Sequence, residues 1–62
     1  MEITVTTIHS GLLCETVYND TYYHELYIGY TKREARKLFR EYVLEEEAKY
    51  FYDNREWSWR NV

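Results

Sequence analysis

Thr31 and Glu34 fix where a helix must begin, and that point organises the rest of the chain. A threonine followed three residues later by a glutamate, just ahead of an apolar run, is a capping box. The threonine hydroxyl accepts the Glu34 amide hydrogen, and the Glu34 carboxylate accepts the Thr31 amide hydrogen. From there Ala35, Leu38, Phe39 and Tyr42 recur at the helical period as one apolar stripe. The stripe predicts a helix over about residues 32–52, with Asp53-Asn54 as its stop and a short tail over 53–62.

Upstream of the cap the period changes from helix to strand. Glu2 to Ile8 is β-branched at six of its seven positions and reads as a strand over 2–8. His9-Ser10-Gly11 supplies a turn, and 12–18 is a second strand. Asn19-Asp20 makes a second turn, and 22–28 is a third strand closed by Gly29. A Ser10-Gly11 loop gathers Ile3, Val5, Leu12, Cys14 and Tyr18 on one face. A three-residue turn over Asn19 to Thr21 sets Tyr18 opposite Tyr22 and adds Tyr22, His24, Leu26 and Ile28 to that face. A two-residue turn instead adds Tyr23, Glu25 and Tyr27, which would bury a carboxylate, so the longer turn is preferred. The opposite face then carries Ile8, Leu13, Val17, Tyr23 and Tyr27 among Thr6, Glu15 and Glu25.

These elements make one α+β domain, a three-stranded antiparallel β-meander packed against a single amphipathic helix (β-β-β-α) with a short C-terminal tail. At 62 residues such a domain is near the size at which a core alone suffices. One cysteine, Cys14, rules out an internal disulfide and fits a reducing compartment. No apolar run is long enough to span a bilayer, and the start of the sequence lacks a charged-then-apolar signal pattern. The expected location is cytoplasmic, without membrane association. Aromatic residues make up 19% of the chain, eight of them tyrosines. So small a volume leaves some rings exposed, and exposed tyrosine favours interfaces.

The helix carries more than its fold requires. Leu44, Ala48 and Phe51 form a second apolar set on roughly the opposite side from the first stripe. Either the tail, with Trp57 and Trp59, folds back over this set, or another subunit covers it, or the helix ends early or bends. The charge pattern also opposes the helix dipole. Lys32, Arg33, Arg36, Lys37 and Arg40 make residues 32–40 basic, and Glu41, Glu45, Glu46 and Glu47 make 41–48 acidic. Lys37–Glu41 and Glu45–Lys49 pairs would relieve part of this cost. Two such helices placed antiparallel set each basic half against an acidic half, which suggests a two-fold dimer. The bland alternative is that the charges only keep the chain in solution.

Catalytic chemistry has little to rest on. His9, Cys14 and His24 share the favoured face but lack the close spacing of a metal site, so neither a metal nor a cofactor is expected. Glu45-Glu46-Glu47 reads as a solvated helix face, and two distant glycines make no phosphate loop. Nucleic-acid binding is the second class to weigh. Tyr23 and Tyr27 on a sheet face suit base stacking, but residues 1–31 contain no lysine or arginine to meet phosphates. The remaining footprint is Lys32, Arg33, Arg36, Lys37 and Arg40, taken as spread around the helix.

Over Tyr27 to Arg40 the sequence resembles a group of small uncharacterised proteins of cyanobacteria and their phages. In these an aromatic strand meets a Gly-Tyr-(Ser/Thr)-x-x-Glu-Ala-x-x-x-Phe helix start, here Gly29-Tyr30-Thr31 with Glu34-Ala35 and Phe39. The resemblance covers about a quarter of the chain and carries no active site. It implies a short accessory or phage-encoded protein that acts by binding, for instance a host protein. The expected function is therefore a non-catalytic, self-associating protein-interaction module. Its expected interface is Leu44, Ala48, Phe51, Trp57 and Trp59.

Overall fold

The computed structural model describes the backbone of residues 1–60 and the side chains of residues 1–50. Three strands, β1 (Thr4–Ile8), β2 (Gly11–Tyr18) and β3 (Thr21–Tyr27), form an open antiparallel sheet in chain order. One helix, α1 (Lys32–Arg60), lies across it. The β-β-β-α order is the expected one. The first strand starts at Thr4 instead of residue 2, and the other two begin one residue early.

Both turns differ from the expected ones, the first in position and the second in length, with different consequences. The first consists of His9 and Ser10, so Ile8 pairs with Gly11 and Val5 with Cys14. Compared with a Ser10-Gly11 loop the register moves by two residues, which keeps every side chain on its expected face. The second turn is Asn19-Asp20, with φ of 50° and 61°, the positive pair that a two-residue type I′ hairpin needs. Tyr18 therefore opposes Thr21, not Tyr22. That single-residue difference turns β3 over. Tyr23 and Tyr27 join the helix-facing side, while Tyr22, His24 and Leu26 move to the open side.

The carboxylate that argued against this register is not buried. β3 is an edge strand, and Glu25, although on the helix-facing side, stays exposed. The core lies between β2 and α1 and consists of Leu12, Cys14, Ala35, Phe39 and Val43. Among the described residues Thr16 is the one buried polar residue, and its hydroxyl donates to the Glu2 carbonyl. Ala35, Phe39 and Val43, each four residues on, form the buried line of the helix. Leu38 is half-buried beside it, and Tyr42 packs edge-on against Tyr23 at 6.4 Å between ring centroids.

The cap forms as the sequence requires. The Glu34 amide donates to the Thr31 hydroxyl at 3.2 Å, and the Thr31 amide donates to the Glu34 carboxylate at 3.1 Å. The bond from the Thr31 amide holds the Glu34 carboxyl below its ordinary range. A lowered folded-state pKa means the stabilisation is fully present above the usual carboxylate range and is lost as pH falls through the lower folded value. Thr31→Ala is expected to cost about 1 kcal/mol, a drop of roughly 4–8 °C in Tm at neutral pH. Alanine keeps the backbone amide at position 31, so this cost should change little with pH, whereas the loss in Glu34→Ala should shrink on acidification, which melts followed by circular dichroism from pH 7 to 3 would show.

At its far end the helix does not stop at Asp53-Asn54 but continues to Arg60. The chain has no proline, and its glycines at 11 and 29 both precede the helix, so no strong breaker stands in its path. The tail expected over 53–62 is thus helical backbone through residue 60, and residues 55–60 do not turn back along α1. Twenty-nine helical residues run about 43 Å, against about 27 Å for the longest strand. The Cα envelope of 50 × 19 × 17 Å follows from that difference.

Candidate interaction surfaces

Turning β3 over leaves a different outer face on the sheet from the one expected. Helix packing covers one side only. On the other side Ile8, Val17, Tyr22, Leu26 and Ile28 are 37–68% exposed, with half-buried Leu13 among them. Leu13 pairs with Thr6 on one side and Leu26 on the other, and Val17 pairs with Tyr22; the Glu15–His24 pair lies between these two apolar groups. The polar groups on the face are engaged. Tyr22 stacks on His24 at 5.2 Å and donates its hydroxyl to the Glu15 carboxylate, which raises the tyrosine pKa. Tyr23 and Tyr27, expected as an outer aromatic platform, instead face the helix. Burial raises the pKa of both.

The same turn separates the histidines from the cysteine. Cys14 is fully buried on the helix side, His24 is exposed on the open side, and His9 sits in the first turn. The expected sharing of one face by these three does not hold. Burial pushes the Cys14 thiol up, partly opposed by the positive charge of Arg36.

Leu44 and Ala48 are exposed on the outward side of α1, as the second apolar set requires. The side chains of Phe51, Trp57 and Trp59 lie outside the described residues. The acidic segment is not simply a solvated face. Glu47 is half-buried and accepts the Asn19 side-chain amide at 2.8 Å and the Tyr23 hydroxyl at 2.9 Å, tying the helix to the β2–β3 turn. Its position four residues after Val43 continues the buried line, a signal present in the sequence. Lys49 pairs with Glu46 at 3.7 Å rather than with Glu45.

The basic residues are also arranged more sharply than expected. Arg33, Arg36, Lys37 and Arg40 follow the spacing 0, +3, +4, +7, and they line one groove together with Met1 and Ile3. Only Lys32 stands apart. Among the described residues the one ion pair is Lys49–Glu46, so this flank has no acidic partner there. At 100° per residue, Glu34, Glu41 and Glu45 fall on the other edge of the exposed helix surface. The surface is thus divided lengthwise as well as end to end. A two-fold antiparallel pairing of helices brings like edges together and sets Glu41 and Glu45 near their own copies.

No helix among the described residues is long and apolar enough to cross a membrane. No family model matches the chain, and no curated protein or solved structure is similar enough to it to match.

Proposed function

We propose that this chain is a non-catalytic protein-interaction module that self-associates through the open face of its sheet. The observation that carries this is the set of apolar side chains on the open face, Ile8, Leu13, Leu26 and Ile28 towards one end and Val17 and Tyr22 towards the other, with the Glu15–His24 pair between them. Single exposed apolar residues are ordinary, but several gathered on one sheet face mark a contact surface. A second copy is the occupant that matches it. The face carries few charges, its glutamate is already hydrogen-bonded, and two such faces pack at about 10 Å with their side chains interdigitated. Three strands give a footprint of about 14 by 23 Å, well below the roughly 800 Å² per partner of a standard interface, so the dimer is a weak one. The helix offers Leu44 and Ala48 as a second contact, but its lengthwise charge division disfavours self-pairing there. Its resemblance to short cyanobacterial and phage proteins supports an accessory role in binding a host protein.

Sedimentation velocity at high micromolar concentration is expected to show a dimer. Leu26→Glu places two carboxylates in the shared face and should return the chain to monomer, whereas Leu44→Glu should not. A monomeric wild type overturns the proposal, and dissociation by Leu44→Glu alone moves the interface to the helix.

Nucleic-acid binding is the second reading, favoured by the gathering of four cations on one flank of α1. Against it, no aromatic ring lines that groove, and the sheet half carries only acids.

A further inference from the structure

The basic flank and the free edge of β1 belong to one site. β1 is an outer strand, so one side of its backbone has no partner in the sheet. Natural edges are usually guarded by lysine, proline, a bulge or an inward charge. Thr4-Val5-Thr6-Thr7-Ile8 has none of these residues, and every position is β-branched. Edge strand β3, by contrast, carries Glu25 on its helix-facing side. Counting from the two-residue turn, Ile8 and Gly11 close the hairpin as a hydrogen-bonded pair. Hydrogen-bonded and non-hydrogen-bonded pairs then alternate, so Val5 and Thr7 point their amides and carbonyls outward.

The basic flank lies beside the residues that lead into that edge. Met1 and Ile3, which lead directly into β1, line the groove with Arg33, Arg36, Lys37 and Arg40. Arg36 lies close enough to act on the thiol of Cys14, whose strand partner is Val5. A chain added beside β1 would therefore have one of its two faces beneath four cations. Its other face would lie beside Thr4, Thr6 and Ile8 on the open side of the sheet.

We propose that the β1 edge captures an extended peptide segment of a partner protein in which acidic and apolar residues alternate. Main-chain hydrogen bonds to Val5 and Thr7 supply the strand addition, and the side-chain period of two supplies the selectivity. Acidic side chains meet Arg33, Arg36, Lys37 and Arg40, and apolar ones pack beside the β-branched Thr4, Thr6 and Ile8. The dimensions agree. The flank from Arg33 to Arg40 rises about 10.5 Å, and same-face positions on a strand repeat every ~7 Å, so two or three carboxylates fit along it. A phosphate backbone would satisfy the cations but would leave the outward amides of β1 and the apolar floor of Met1 and Ile3 unused. This inference rests on the reading of the chain as an interaction module but uses a different surface from the self-association face.

The test uses the full chain and capped nine-residue peptides followed by fluorescence anisotropy. A peptide of alternating glutamate and valine is expected to bind. The same residues in two blocks, an alternating lysine–valine peptide, and single- and double-stranded oligonucleotides are expected to bind at least tenfold more weakly. Hydrogen exchange should show the Val5 and Thr7 amides becoming protected in the complex. Arg36→Glu with Arg40→Glu should weaken binding at least tenfold. Thr7→Pro removes an outward donor without touching the β1–β2 pairing and should abolish binding. Should that variant fail to fold, a peptide N-methylated at alternate residues provides the same block from the ligand side. Equal binding of the block peptide, binding insensitive to both backbone blocks, preference for an oligonucleotide, or no peptide binding overturns the proposal. None of these outcomes alters the dimer expected from the open face, which Leu26→Glu tests separately.

Discussion

Phe39→Ala is expected to remove between about a third and all of the stability of the domain. Phe39 is completely buried, and among the described residues it is the largest side chain in a core of five buried apolar residues. It packs between Ala35 and Val43 along the helix and against Tyr42, with ring centroids 6.2 Å apart. Removing a buried phenylalanine costs about 3–5 kcal/mol, the lost transfer energy plus the cavity left behind. A domain of this length has a total stability of roughly 3–9 kcal/mol. The substitution therefore removes a third of the stability at best and all of it at worst. Urea titration followed at 222 nm measures this directly. Leu44→Ala, at a side chain 43% exposed on the same helix, is the control and should change stability by less than about 0.5 kcal/mol. A Phe39→Ala protein that melts near wild type would mean that the helix does not dock on β2 through this residue.

Gly11→Ala is expected to have the second largest effect, for a different reason. Gly11 opens β2 immediately after the His9-Ser10 turn, with φ of 154°. A Cβ there would lie 2.6 Å from the Tyr27 carbonyl oxygen and 3.1 Å from the Ile28 side chain. The first contact is with backbone, so no rotamer change relieves it. Either β3 must move away from β2 at the end where it hands over to the helix, or the turn must be rebuilt. Backbone strain combined with a steric clash of this kind costs about 2–4 kcal/mol. A fall in Tm of more than about 10 °C is the expected result. Exchange protection should be lost first at Leu12 and Tyr27, the neighbouring pair in the register. Gly29 is the useful contrast. It also has positive φ, at 84°, but nothing lies within 4 Å of a Cβ placed there. A substitution at Gly29 suffers conformational strain alone.

Much of this architecture was legible because its causes are local. Thr31 and Glu34 needed only each other to mark the helix start. Ala35 and Phe39 lay on a stripe visible at the helical period, and the β-branched run from Ile3 to Ile8 announced a strand. The error in the first turn was harmless because a shift of two residues preserves the alternation of sides. The candidate surfaces were less legible. Leu44 and Ala48 were correctly left over by the first stripe. The gathering of Arg33, Arg36, Lys37 and Arg40 was written in their spacing and passed over by treating all five cations together. Glu47 was passed over because three successive glutamates resemble a solvated face, although one of them continues the buried line.

What the sequence determined by itself was the identity and order of the elements: three strands, two turns and a capped helix, each set by residues within about four positions of one another. What only the tertiary structure decided was which side of β3 faces the helix. Asn19 and Asp20 accommodate a two-residue turn as readily as a longer one, and the choice depended on whether Glu25 would be buried. At the edge of a sheet crossed by a single helix the carboxylate remains exposed, so the penalty that seemed to exclude the short turn does not arise. From that release follow the buried side of Tyr23 and Tyr27, the hydrogen bond from Tyr23 to Glu47, and the open apolar face on which the proposed self-association rests.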